Sequence, residues 1–116
     1  MLLKRIQVND AFEFDNVDWT GYDGVVFENA DTAFNVGGFI APETDGFAIT
    51  VVNNSGNQLN FSIPGDDVSS NSDPQNRITT DTGFDPVMSA NSQGTTCILY
   101  YDLANSIWRA SGGVLQ

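Results

Sequence analysis

The stretch FAITVVNNSGNQLNFSI, from Phe47 to Ile63, decides the fold class. Large apolar residues alternate with smaller or polar ones in FAITVVN, and the same period of two recurs in LNFSI. A period of two indicates a β-strand that buries one face. The residues between the two runs include Asn and Gly, which tolerate positive φ, so they predict a tight hairpin turn.

Turn-forming residues also separate apolar runs on both sides of this stretch. Short apolar runs are broken by Gly, Asn, Asp, Ser and Pro, which is typical of an all-β sandwich or barrel. Strands are predicted at residues 3–8, 11–17, 24–27, 33–40, 47–53, 58–63, 76–79, 87–90, 95–101 and 106–110. We expect one β-sandwich domain over residues 1–116, jelly-roll-like, with roughly eight to ten short strands. Residues 1–10 form either a docking arm or an edge strand.

The charge of the chain restricts its partners. Four Lys and Arg stand against fifteen Asp and Glu, which gives a formal net charge of -11. Nucleic acids and anionic membranes require a basic footprint, so neither is expected as a partner. The N-terminal MLLKRIQVND is too short for a signal sequence, and no run approaches the roughly 20 apolar residues of a membrane span.

Catalytic chemistry has few candidate residues in this sequence. The chain has no histidine, the commonest general base and a common metal ligand. The single cysteine, Cys97, lies in the apolar run TTCILYY and is expected to be a buried, inert thiol. Most acids lie in turns such as Asp45–Gly46, where Asp is favoured for turn chemistry. The sequence therefore predicts no enzyme and no cofactor.

Two loop features allow sharper hypotheses. In DNVDWTGYDG, Asp15, Asp18 and Asp23 are weak calcium candidates, but their spacing does not match an EF-hand and solvated turns are favoured. Trp19 and Tyr22 in the same loop form either a ligand-binding surface or a plug over the end of the sandwich. The plug is favoured, because an exposed tryptophan is uncommon in a monomer loop.

The C-terminal stretch LYYDLANSIW, Leu99–Trp108, predicts a second hairpin. Its aromatic residues would pair across the strands and contribute roughly 0.2–1 kcal/mol per pair. Upstream, the sequence NRI places Arg77 after an acidic polar loop at residues 63–76. A contact of Arg77 with Asp66, Asp67 or Asp73 would tie that loop to the sheet.

These segments occur in an order that resembles a β domain of bacteriophage virion proteins, found in tail fibres, head fibres and small capsid-associated proteins. The resemblance covers about two-thirds of the chain, roughly residues 37–113. The matching positions are Asp45, Gly46, Ile49, Thr50, Asn53, Ser55, Gly56, Asn76, Arg77, Ile78, Thr82, Gly83, Asp85, Tyr101, Asp102, Trp108 and Arg109. Pro86 departs from the pattern and should mark an edge or a later strand start. Asn76, Arg77, Tyr101, Asp102, Trp108 and Arg109 would be structural residues, and no catalytic residue is implied.

The resemblance implies a phage virion structural protein, assembled in the host cytoplasm. Because no shaft region accompanies the domain, the expected role is a capsid decoration or head-surface protein. It would bind the major capsid protein or another virion protein as a homo-oligomer, with a trimer favoured. The alternative is a host-attachment module of a spike or fibre that recognises surface glycans through Trp19 and Tyr22.

The N-terminus supplies a candidate docking segment. Leu2, Leu3, Lys4, Arg5 and Ile6 combine apolar residues with two of the four basic residues of an acidic chain. This asymmetry favours docking against an acidic or polar partner surface. The alternative is an edge strand whose Lys and Arg discourage aggregation.

Overall fold

The computed structural model describes residues 1–62, 70–80, 87–88 and 94–111, and the regular structure in them is almost entirely β. Its ten strands are β1 Leu3–Asn9, β2 Glu13–Phe14, β3 Gly24–Ala30, β4 Phe34–Val36, β5 Ala48–Asn54, β6 Leu59–Phe61, β7 Ile78–Thr79, β8 Val87–Met88, β9 Thr95–Asp102 and β10 Ile107–Ser111. One 3-10 turn, Pro74–Asn76, precedes β7. The predicted all-β fold is confirmed, and every predicted run contains a strand.

The strands form two sheets that the chain visits alternately. A six-stranded sheet has the order β1-β3-β5-β9-β10-β7, and a four-stranded sheet has the order β2-β4-β6-β8. β1, β3 and β5 are mutually parallel, as are β2, β4 and β6. The chain therefore forms three successive coils, and each coil has one strand in the six-stranded sheet and one in the four-stranded sheet. These coils are β1–β2, β3–β4 and β5–β6.

This path corrects two expectations about connectivity. The NNSGNQ segment, residues 53–58, does not close the predicted hairpin. β5 and β6 lie in different sheets, so this turn carries the chain from one sheet to the other. The connectivity also differs from that of a jelly roll, whose neighbouring strands are antiparallel. Here five of the eight strand pairs formed by described residues are parallel.

Antiparallel pairing closes the far side of the coil stack. β9 pairs with β5 on one side and with β10 on the other, and β8 pairs with β6. The predicted C-terminal hairpin is confirmed, since β9 and β10 are joined by a short turn and place Trp108 opposite Tyr101. β7 lies beside β10 as the outermost strand of the large sheet.

Both sheets turn one face toward a shared hydrophobic core. One aromatic cluster joins Phe14, Phe27 and Phe34, whose ring centroids lie 5.5–6.0 Å apart. A second cluster surrounds Trp108, which is fully buried. Complete burial of one large apolar side chain stabilises a fold by about 1.5–3 kcal/mol, so these two clusters hold the sheets together. No helix among the described residues is long and apolar enough to cross a membrane.

Candidate functional site

The N-terminal docking candidates lie on an edge strand. Among the described residues, β1 is the outermost strand of the six-stranded sheet and pairs with β3 alone. Leu2, just before β1, is 59% exposed, whereas Leu3, Lys4 and Ile6 are half-buried. Ile6 packs against the core. The structure therefore places this segment as an integral strand with an apolar, exposed start.

The two cations of this segment already have partners within the chain. Lys4 donates from Nζ to the Asp18 carbonyl oxygen at 2.7 Å. Arg5 donates from Nη1 to Glu28 Oε2 at 2.8 Å, and its side chain remains 62% exposed. Lys4 on β1 aligns with Val25 on β3, whose side chain is fully buried, so Lys4 lies on the inward side of its strand. An inward-pointing cation on an edge strand discourages pairing with a further strand, as the edge-strand interpretation requires.

A groove runs beside this edge. A cavity of about 540 Å³ opens between β1 and the segment that contains β2. Its lining combines the apolar residues Ile6 and Phe14 with the charged residues Lys4, Glu13 and Asp18. The groove lies at the end of the stack of coils where β1 and β2 are the outermost strands of the two sheets. No other described strand lies beside them there.

The loop aromatics separate into a core residue and a surface residue. Trp19 is only 9% exposed, stacks on Phe47 at 5.0 Å, and donates from Nε1 to the Ile40 carbonyl oxygen at 2.7 Å. Both its ring face and its polar atom therefore contact the protein, in agreement with the plug that the sequence favours over a ligand-binding surface. Tyr22 is 37% exposed and stays a surface candidate.

The three weak calcium candidates do not converge. Asp15 accepts from Ser72 Oγ at 3.0 Å, Asp18 from the Thr20 amide at 2.9 Å, and Asp23 from the Leu2 amide at 2.6 Å. Hydrogen bonds from Thr20 lower the pKa of Asp18. Within the described ranges no group of three or more acidic, histidine or cysteine side chains is placed to hold a metal ion.

Asn76, the first residue of the NRI motif, connects three distant segments. Its Nδ2 donates to Asn16 Oδ1 at 2.9 Å, and its Oδ1 accepts from the Ala41 amide at 2.8 Å. Its backbone carbonyl accepts from the Phe39 amide at 2.9 Å. Asn76 is 3% exposed, so each of these polar groups would be costly to leave unpaired.

Arg77 holds the polar loop in a different way from the one predicted. Its Nε donates to the Ser72 carbonyl oxygen at 3.0 Å. In the part of the chain that the structure describes, no ion pair joins Arg77 to Asp73. Asp66 and Asp67 lie outside the described residues, as do Thr82, Gly83, Asp85 and Pro86. The guanidinium therefore ties the loop to β7 through a backbone carbonyl.

A buried serine pair was missed by the sequence analysis. Ser70 and Ser72 were assigned to a surface loop, but they are 6% and 1% exposed. Ser70 Oγ donates to the Gly37 carbonyl oxygen at 2.7 Å. A Cβ on Gly37 would lie 2.0 Å from Asp15 Oδ1, and one on Gly38 would lie 2.2 Å from the Asn76 carbonyl oxygen. The adjacent glycines were the available signal, since paired glycines often mark a close backbone approach.

The four motif residues of the C-terminal hairpin divide between its two faces. Tyr101 and Trp108 face the core, with ring centroids 5.0 Å apart. Asp102 and Arg109 face outward, and Nε and Nη2 of Arg109 both donate to Asp102 Oδ2, at 3.0 and 2.9 Å. The Asn105 side chain and then Arg109 lower the pKa of Asp102. This geometry agrees with a structural role for the motif.

A second missed feature is a polar cleft where β1, β3 and β5 end. It has a volume of about 520 Å³ and is lined by Asn9, Asn29, Asp31, Asn54 and Ser55, among others. Asn9 and Asn29 have φ values of 50° and 57°, in the left-handed region that Asn tolerates. An asparagine at each strand end was the sequence signal for these stacked corners.

Cys97 supports a direct chemical prediction. Its side chain is 1% exposed, and burial raises the pKa of the thiol to about 12. We expect an alkylating reagent at neutral pH to label the native protein on the order of 10²-fold more slowly than the denatured protein, because the thiolate is both inaccessible and scarce. Intact-mass spectrometry over time measures this ratio. Equal rates would show that Cys97 is accessible and contradict its placement in the core.

Comparison of this chain with protein-family models, with curated proteins and with solved structures finds no match in any of the three sets.

Proposed function

We propose that this chain is a bacteriophage virion structural protein that decorates the capsid surface as a homo-oligomer, and that β1 and the residues before it contact the partner. The observation that carries the proposal is the exposed apolar start of an edge strand, with Met1 87% and Leu2 59% exposed. Exposed apolar residues that adjoin a groove are typical of protein-binding surfaces. The proposal includes no catalytic step.

The motif residues add a second line of support. Asn76, Arg77, Tyr101 and Trp108 all stabilise the fold through buried hydrogen bonds or ring contacts. A module whose most distinctive residues stabilise its own framework is suited to a mechanical role, in which added interface stabilises a larger assembly. The outward carboxylates of the chain would face solvent and keep assembled particles apart.

A binding experiment with a point variant tests this proposal. Removal of the whole N-terminal segment would also remove Val8, a core residue that is 2% exposed, so substitution of an exposed residue is cleaner. We expect Leu2→Glu to weaken co-sedimentation with capsids that lack the protein by about 10-fold or more, because it places a charge in a desolvated contact. The measurement is a binding isotherm of protein pelleted with purified capsids.

Leu103→Glu is the matched control for that experiment. Leu103 is 43% exposed in the turn between β9 and β10, away from β1, and the substitution adds the same charge. It should bind like the unmodified protein. Absence of saturable capsid binding by the unmodified protein would refute the decoration role. Equal binding by Leu2→Glu would refute the placement of the contact at β1.

Host-glycan recognition is the second candidate function, and the polar cleft favours it. The amides of Asn9, Asn29 and Asn54 and the carboxylate of Asp31 provide both donors and acceptors around one concave surface. That chemistry suits a neutral saccharide. Glycan-array binding that is lost on Asp31→Ala, together with no capsid binding, would support this alternative.

A further inference from the structure

The outward face of the six-stranded sheet carries an apolar surface. The register aligns Leu3, Gly24, Thr50 and Ile98 in one row, and Val26 and Val52 in the next. Strand alternation turns these rows away from the core, and Val26 is correspondingly outside the core cluster. We name as the outer apolar face the residues Leu3, Val26, Ala48, Val52, Ile98 and Tyr100.

This surface is exposed on β9. Ile98 and Tyr100 on β9 are 38% and 44% exposed, although β9 lies between two other strands of the sheet. Val26, on the same side of the sheet, is only 4% exposed. A contiguous apolar surface that includes large exposed side chains on regular strands marks an interaction site.

The charge distribution favours a second copy of this chain as the occupant. Among the residues that the structure describes, four charged residues border the outer apolar face, and they form two ion pairs, Arg5–Glu28 and Asp102–Arg109. Their charges cancel, whereas the chain as a whole carries a formal net charge of -11. Two identical, strongly acidic chains repel each other over most of their surfaces. They approach most readily through a surface on which the described charges are paired.

The outward side of the sheet is large enough for self-association. It includes the outer apolar face and the polar and charged residues around it, and its five strands, spaced about 4.8 Å apart and each about seven residues long, span about 550 Å². Two copies would bury about 1,100 Å², which exceeds the roughly 1,000 Å² expected of a specific interface. The apolar centre and the charged border match the usual anatomy of such an interface.

We infer that this chain self-associates by packing the outer apolar face against the same face of another copy. The inference rests on the homo-oligomeric part of the proposed function. It centres self-association on Ile98 and Tyr100 of β9, three strands away from the capsid contact on β1, and the two surfaces meet at Leu3.

Single substitutions at the two exposed residues on β9 test this inference. Ile98→Glu and Tyr100→Glu each place an uncompensated carboxylate in the interface, while their exposure spares the core. We expect each to raise the dissociation constant for self-association by about 100-fold or more. Analytical ultracentrifugation of the purified full chain across a dilution series, without capsids, measures this change.

Phe12→Glu is the matched control, because Phe12 is 64% exposed and lies before β2, off the outer apolar face. It should associate like the unmodified protein, and circular dichroism should show the same β spectrum for all variants. A monomeric unmodified protein at every concentration, or unchanged association of both face variants, would overturn the inference. The self-association measurement contains no capsid. A negative result there is therefore distinct from a loss of capsid binding, which the Leu2→Glu experiment measures separately.

Discussion

Replacement of Trp108 by alanine is expected to lower the free energy of unfolding by about 3–5 kcal/mol, a large part of the stability of a small domain. Trp108 is fully buried on β10 and is the ring that connects the second aromatic cluster. Its centroid lies 5.0 Å from Tyr101, 6.2 Å from Trp19 and 6.4 Å from Phe39. Alanine would leave a cavity that three rings cannot fill without moving.

The indole also contributes a buried hydrogen bond. Trp108 Nε1 donates to the Phe39 carbonyl oxygen at 2.9 Å, which joins β10 to the segment that follows β4. Trp108→Phe keeps an aromatic ring but removes this donor, so its expected loss is smaller, about 1–3 kcal/mol. The difference between the two variants separates ring packing from the hydrogen bond.

Denaturant unfolding followed by far-UV circular dichroism measures both losses without depending on tryptophan fluorescence. Leu103→Ala provides an exposed control, with an expected change within about 0.5 kcal/mol. A loss of under about 1 kcal/mol for Trp108→Ala would mean that the cluster around it does not hold the two sheets together.

The local features of this hairpin were predictable because they depend on neighbouring residues. An apolar run marked β9, the short polar turn marked the reversal, and cross-strand pairing of the aromatic residues was expected of a hairpin, which the register of Trp108 with Tyr101 confirms. The inward position of Trp19 was favoured for a related reason, since a large apolar ring in a small domain finds most of its stabilisation by burial.

The coil arrangement was not predictable from the same signals. Alternation reports that a strand has a buried face, but it does not report which sheet receives the strand. The coils also differ in length: Leu3 aligns with Gly24 and then with Thr50, offsets of 21 and 26 residues. Unequal offsets produce no internal sequence repeat, so the parallel stacking left no periodic signal.

The polar connections within the fold were missed because their partners are distant in the chain. Asn76 bonds with Asn16 across 60 residues, and Ser72 bonds with Asp15 across 57. Polar residues in a loop are usually solvated, and nothing in their local sequence indicates burial. The candidate docking segment was found as a strand, yet its position at the sheet edge became clear only from the topology.

The close approach at Gly38 supports the second large-effect prediction. Gly38 forms a bridge with Arg77, and a Cβ at this position would lie 2.2 Å from the Asn76 carbonyl oxygen and 2.8 Å from Ser72 Cβ. Neither of these atoms can move easily. The Asn76 carbonyl oxygen accepts a hydrogen bond from the Phe39 amide, and Ser72 is buried. Gly38→Ala must therefore displace residues 72–77, with an expected loss of about 3 kcal/mol of unfolding free energy.

Gly56→Ala is the matched control for this prediction. A Cβ on Gly56 meets nothing within 4 Å, and its φ lies outside the left-handed region. This variant should be neutral or stabilised by about 0.4–1 kcal/mol, since alanine restricts the unfolded chain. The two substitutions add the same methyl group. If they change the free energy of unfolding in opposite directions, the loss in Gly38→Ala comes from the close approach at that position.

In Gly38→Ala, amide NMR signals of Phe39 and Ala41 should also shift, because both amides donate to Asn76. If Gly38→Ala instead unfolds like Gly56→Ala and leaves those signals in place, residues 72–77 do not pack against Gly38 as tightly as the structure indicates.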